Sequence, residues 1–217
     1  MVVKKPVVTY TLLGMNVIVF ILMTLAGGSE NLGVLVEFGA KVNALIVEGQ
    51  WWRLIAPMFL HIGFEHIIVN MITLYFVGIQ LENILGRIRF LAVYLVSGLI
   101  GNLASFAFNP NAVSAGASTA LFGLFGVFLM MGESFGSNPY IRVMAKQFLL
   151  LVVLNIGFGF YGGVDLAGHI GGLIGGFLMG YSVGVPYVGS VPLPKKIVSI
   201  LALIFLGIMM FTLGFKN

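Results

Sequence analysis

The sequence predicts an all-α polytopic membrane protein, and three observations predict it. Of its 217 residues, 59% are hydrophobic and only 8% charged, far from the balance of a soluble domain. The mean hydropathy is +1.09. The apolar residues run in long unbroken stretches, whereas a membrane barrel would show short strands alternating polar and apolar.

Windows of about 20 apolar residues suffice to cross a bilayer, and seven candidates follow in order: Val7 to Ala26, Phe64 to Leu81, Phe90 to Phe108, Ala117 to Gly132, Gln147 to Tyr161, Leu166 to Val185 and Ile197 to Phe215. The first follows Lys4 and Lys5 and ends at Thr24-Leu25-Ala26, loosely like a signal-peptide site. It is longer than a signal core and more spans follow, so it is read as a retained helix. The only long loop, Gly27 to Pro57, mixes Glu30, Glu37 and Glu48 with apolar patches such as Leu45-Ile46-Val47 and Trp51-Trp52. It is expected to rest at the outer interface, the depth that tryptophan prefers. Val185 to Pro194, with three prolines, reads as a linker to a final helix without buried polar residues. Two units are therefore expected, a six-helix core over residues 1–185 and a linker with an added seventh helix over 186–217.

Charge sets the orientation. With the amino end inside, Lys4, Lys5, Arg87, Arg89, Arg142, Lys146, Lys195 and Lys196 are cytoplasmic, and Lys41, Arg53 and Lys216 lie outside, as the positive-inside rule prefers. The pI near 9.4 does not signal nucleic acid, because the cations are spread singly over short loops. Absence of cysteine removes thiol catalysis, disulfides and thiolate metal sites.

Polar residues inside the spans demand a reason. Ser118 heads the fourth span, His169 lies about 5 Å into the sixth, and His66 and Asn70 share one face near the outer end of the second. The fourth span covers about 24 Å of a hydrocarbon core about 30 Å thick, so Ser118 should be recessed from the surface. Asn109 to Ala117, irregular at that depth, must be covered by protein or line an aqueous cavity.

These residues suit covalent catalysis. A serine hydroxyl needs a base, and neutral imidazole serves near physiological pH. His66, Asn70 and the Ser118 backbone N–H are in reach to hold an oxyanion. Asp165, at the head of the sixth span, could orient His169 or cap the helix. A zinc site is not expected: His61 and His66 are five apart, about 140° around a helix, and no histidine follows His66 at the fourth position. Neither metal nor cofactor is expected. Gly168, Gly172, Gly176 and Gly180 form a smooth stripe on the sixth span that lets another backbone approach.

At these residues the chain resembles the rhomboid family of intramembrane serine proteases. The matching residues are Trp52-Arg53, His61 with His66 and Asn70, Glu82 and Gly86, Gly116-Ala117-Ser118, Phe122, and His169 followed by Gly172 and Gly176. The similarity spans roughly Val7 to Val185. It implies a rhomboid-like six-helix bundle with an added seventh helix, a Ser118–His169 dyad, and an oxyanion and substrate site at His66, Asn70 and Gly116. Phe122 is implied to pack on His169, with Gly172 and Gly176 in support. The implied reaction is hydrolysis of peptide bonds in or near transmembrane segments of membrane proteins. A catalytically silent binder or escort of membrane helices is the alternative.

One departure stands out: Thr119 occupies the place where the family usually has glycine. It is expected to narrow the helix entrance or the substrate pocket, or else to bond its hydroxyl to its own helix. Arg53 and Glu82 are read as structural, bonding loop carbonyls and helix ends. Gly157 to Gly163 reads either as a mobile lid or as a plain connector. The compact, tail-less architecture leads to an expected bacterial plasma membrane location, with lipid bilayer and transmembrane substrates as partners, no nucleic acid, and the active site facing out. The sequence gives no oligomeric state.

Overall fold

The computed structural model describes residues 5–159 and 164–216. Seven of its helices are long and apolar enough to cross a membrane: α1 (Val7–Leu25), α4 (Gly63–Leu85), α5 (Arg87–Phe108), α6 (Ser118–Phe135), α7 (Pro139–Gly159), α8 (Leu166–Val183) and α9 (Leu193–Gly214). Two short helices, α2 (Leu32–Glu37) and α3 (Asn43–Val47), lie between α1 and α4.

The bundle is built around α8, which packs chiefly on α5 and α6, while α1 leans on α4 and α7 on α6. Glycine explains the intimacy. A methyl group at Gly172 would stand 2.0 Å from the Thr119 carbonyl oxygen, and one at Gly176 would stand 1.9 Å from that of Gly123. These two positions therefore set the backbone approach of α8 to α6. The stripe of Gly168, Gly172, Gly176 and Gly180 faces α6, and a second pair outside it, Gly171 and Gly175, meets Ala104 and Ile100 of α5.

Helix ends are satisfied at long range. The Glu82 carboxylate, near the end of α4, accepts from the backbone N–H groups of Val8 (3.0 Å) and Thr9 (2.7 Å) and from the Thr9 hydroxyl (2.8 Å). The first N–H groups of α1 have no partner within their own helix, and an anion there also matches the helix dipole. This is the structural role expected for Glu82.

The first loop is more than an interfacial anchor. Val34, Leu35, Ala40 and Leu60 join Met23 of α1 in a small apolar core of its own. Arg53 fastens it by donating from Nη1 to the carbonyls of Val36 (2.7 Å) and Ala40 (2.9 Å). Asn43 and Asn102 dock it on α5 through the carbonyls of Phe106 and Leu54. Trp51 and Trp52 remain more than half exposed.

Two expectations need correcting. The fifth span begins at Pro139, eight residues before the expected Gln147. Arg142 and Lys146 lie inside the first turns of α7, where long cationic side chains can reach the interface while their stems stay apolar. The last helix is not free of buried polar groups either, since Ser199 is buried; at its exposed head Lys195 pairs with Glu133 of α6 at 3.1 Å. Pro194 belongs to the first turn of α9, where its missing N–H has no helical partner to lose.

Candidate active site

Three helix heads meet on one side of the bundle. Ser118 opens α6, so its backbone N–H has no partner within the helix and points out of the positive end of the dipole. His169 lies in the first turn of α8 and His66 in the first turn of α4.

Ser118 Oγ and His169 Nε2 stand 2.9 Å apart. The imidazole is stacked on Phe122 with ring centroids 4.2 Å apart and planes inclined by 17°. Phe122 lies one turn after Ser118, so a single helix carries both the hydroxyl and the platform that holds its base. His169 Nδ1 is buried and has no hydrogen-bond partner among the described residues. Asp165 does not reach it. That carboxylate instead caps α8, accepting from the Gly168 N–H (3.1 Å), the Ser114 hydroxyl (2.6 Å) and the Asn109 amide (3.2 Å). Burial raises the Asp165 carboxyl, but hydrogen bonds from Ser105, Ser114, Gly168 and Asn109 outweigh it and hold it below the usual carboxylate range.

His66 Nδ1 accepts from the Ile62 N–H at 3.3 Å. An imidazole whose Nδ1 accepts carries its proton on Nε2. That Nε2 faces Gly116: a methyl group there would meet it at 2.9 Å and Ser118 Oγ at 3.4 Å. Gly116 also has φ +140°, a conformation that side chains rarely adopt. The glycine thus leaves open the space between a histidine N–H and the serine hydroxyl. Asn70 is buried and donates to the His66 carbonyl of its own helix at 2.8 Å, which leaves its second amide proton for another acceptor.

Thr119 does not face this space. It sits where three helices meet, with its Cβ 2.8 Å from a methyl placed on Gly101 of α5 and its carbonyl against Gly172 of α8. Its hydroxyl is buried without a partner among the described residues, so the expected bond to its own helix is not made.

Sequence reasoning missed the clasp on the segment before Ser118. Lys41 and Ser114 form an antiparallel bridge, their backbone bonds 2.9 and 3.2 Å long. Lys41 Nζ also donates to the carbonyls of Asn109 (2.6 Å) and Ala112. The ammonium is fully buried, and burial, only partly offset by Asp165, pulls it down to about 8. The one lysine of that loop, between the apolar patches, was the available signal. The clasp supplies the protein cover that irregular backbone requires at membrane depth.

His61 packs edge-on against His66 with centroids 5.2 Å apart, fully buried and with neither ring nitrogen hydrogen-bonded to any of the described residues. Burial, reinforced by His66, pushes it down from 6.5 to about 3. The unfolded chain therefore takes up a proton first as pH falls, and stability present above about 6.5 is lost progressively toward about 3. Thermal unfolding in detergent at pH 7 and pH 4 will show a smaller acid penalty for His61→Phe than for the parent chain. Among the described residues no cluster of three metal-ligating side chains occurs. Of the expected lid, residues 160–163 lie outside the described residues.

Residues 48–186 match the model of the rhomboid domain. The chain belongs to the rhomboid family. It is 41% identical to the rhomboid protease GluP of Bacillus subtilis over 94% of this chain and 40% of that one. It is 35% identical to YdcA of the same bacterium over 81% of this chain and 87% of its relative. RHOMBOID-like protein 5 of Arabidopsis thaliana is 39% identical over 67% of this chain and 48% of its own length. The chain therefore spans less than half the length of GluP and of the Arabidopsis relative. It is an integral, multi-pass, all-helical member of a family of intramembrane serine proteases, with relatives named as proteases.

Proposed function

We propose that this rhomboid-family chain is an intramembrane serine endopeptidase that hydrolyses peptide bonds in or near transmembrane segments of membrane proteins. The observation that carries the reading is the 2.9 Å contact between Ser118 Oγ and His169 Nε2, with the imidazole fixed on Phe122. His169 takes the Ser118 proton on Nε2 as Oγ attacks the scissile carbonyl, and then gives it to the leaving amine. Water, deprotonated by the same nitrogen, releases the acyl group and restores the hydroxyl.

The oxyanion is held by the Ser118 N–H, the His66 Nε2–H and the second Asn70 proton, in the space Gly116 leaves open. One such donor contributes about 2.7 to 4 kcal/mol to the transition state. A substrate helix must unwind first, because its carbonyls are otherwise held in internal hydrogen bonds. Small or helix-breaking residues near the scissile bond will therefore favour cleavage.

In this reading residues 1–185 form the catalytic core, and 186–217 add a linker and α9. The chain sits in a bacterial plasma membrane with its amino end cytoplasmic and the dyad toward the outside. Purified protein in detergent will cut a model transmembrane substrate, and Ser118→Ala will not. Cleavage that persists in Ser118→Ala defeats the assignment.

A further inference from the structure

The bundle end opposite the Ser118–His169 pair contains a cavity of about 1300 Å³. Met131 on its wall lies about 20 Å along α6 from Ser118, at about 1.5 Å rise per residue. The end of α4, the head of α5 and the first turns of α7 complete the wall. No step of the proposed proteolysis uses this space.

Its lining has two chemistries. Lys5, Arg87 and Arg89 bring three cations to it, and Ile88, Tyr140 and Tyr187 give it an exposed apolar side. The one carboxylate in the wall, Glu82, is already bonded to the head of α1, so it competes poorly for the arginines. Arg87 lies 3.9 Å from it, outside hydrogen-bond distance. Arg87 donates one N–H to the Lys5 carbonyl, and Arg89 donates one to the Val183 carbonyl. Each guanidinium has five donors, so most of each fork is left for a ligand. Both arginines also stand at the head of a 22-residue helix, whose first N–H groups and dipole favour an anion.

We propose that this cavity binds one anionic phospholipid, with the phosphate on Lys5, Arg87 and Arg89 and an acyl chain along Ile88, Tyr140 and Tyr187. The membrane supplies such a ligand at this depth, and basic pockets at helix ends recognise its headgroup. A free anion would leave the apolar wall uncovered, and a zwitterionic lipid would bring its own cation against the arginines. The inference stands on membrane residence and does not depend on the protease reading.

The full chain, delipidated in neutral detergent, can be titrated with phosphatidylglycerol, with phosphatidylcholine of the same acyl chains, and with glycerol phosphate. Native mass spectrometry then counts bound ligand. Phosphatidylglycerol will saturate at about one equivalent and outcompete phosphatidylcholine. Each cation removed will weaken it about fivefold, so Lys5→Gln loses about fivefold and Arg87→Gln with Arg89→Gln about 25-fold. Lys5→Gln alters only an exposed side chain, which keeps the test sound should the arginine variant fold poorly. Equal retention of the two lipids, undiminished binding in Lys5→Gln, or glycerol phosphate binding as tightly as the lipid overturns the proposal.

Discussion

Alanine at His169 will lower turnover of a transmembrane substrate by at least about 10⁴-fold while leaving the helix bundle intact. A serine hydroxyl is a weak nucleophile until a base removes its proton, and among the described residues the imidazole bonded to Ser118 Oγ is that of His169. When nucleophile and base act as a unit, loss of either removes most of the rate, and only binding and oxyanion stabilisation survive. The structural cost is small by comparison. Among the described residues His169 Nδ1 has no partner to lose, and what disappears besides the Ser118 bond is the ring stack on Phe122, worth about 0.5 to 1.5 kcal/mol. Helix content and gel filtration will match the parent chain as cleavage vanishes. His66→Ala will act differently, with a loss of about 10² to 10³ in kcat, the usual effect of removing one oxyanion donor.

A single methyl group at Gly176 will have the largest effect on folding. In Gly176→Ala the new carbon would stand 1.9 Å from the Gly123 carbonyl oxygen and 2.4 Å from its Cα. These are backbone atoms that no rotamer change can move, so α6 and α8 must separate along their contact. Ordinary overpacking costs about 1 to 3 kcal/mol where side chains can yield; here none can, and total stability is only about 5 to 15 kcal/mol. Separation also carries Ser118 away from His169, because the two residues lie on those two helices. Gly176→Ala will therefore lower the unfolding temperature sharply and abolish cleavage. Gly14→Ala in α1 will change neither, since a methyl group there meets nothing within 4 Å.

The fold was legible because membrane physics leaves few options. Apolar length alone located seven spans, and the stripe of glycines on the sixth correctly marked close packing. What composition could not give was the length of helix beyond the apolar window. Arg142 and Lys146 look like loop residues by charge, yet they extend α7, because a helix end can place cations at the interface without breaking its backbone bonds. The first loop was expected to rest at the outer interface because tryptophan prefers that depth. Its order comes from Arg53, Asn43 and Asn102 bonding backbone carbonyls far away in sequence, a pairing that no local pattern encodes.

Within the site, sequence reasoning chose Ser118, His169 and Phe122 from the resemblance and from the rarity of polar groups in apolar spans, and the structure brings these three together. Asp165 was left between two roles, and its bonds to Gly168, Ser114 and Asn109 make it a cap. Thr119 was expected to shape either the site or its own helix. It instead occupies a three-helix junction, because the residue after Ser118 is turned by about 100° toward α5 and α8. Lys41 escaped attention since its partners, the Asn109 and Ala112 carbonyls, are 68 and 71 residues away.

The pairing of Ser118 with His169 is tested most directly by a fluorophosphonate probe added to the purified chain in detergent, with the modified residue identified by peptide mass mapping. A single adduct on Ser118 is expected, absent in Ser118→Ala and strongly reduced in His169→Ala. Labelling of another residue, or undiminished labelling of Ser118 after His169 is removed, would contradict a serine activated by that imidazole.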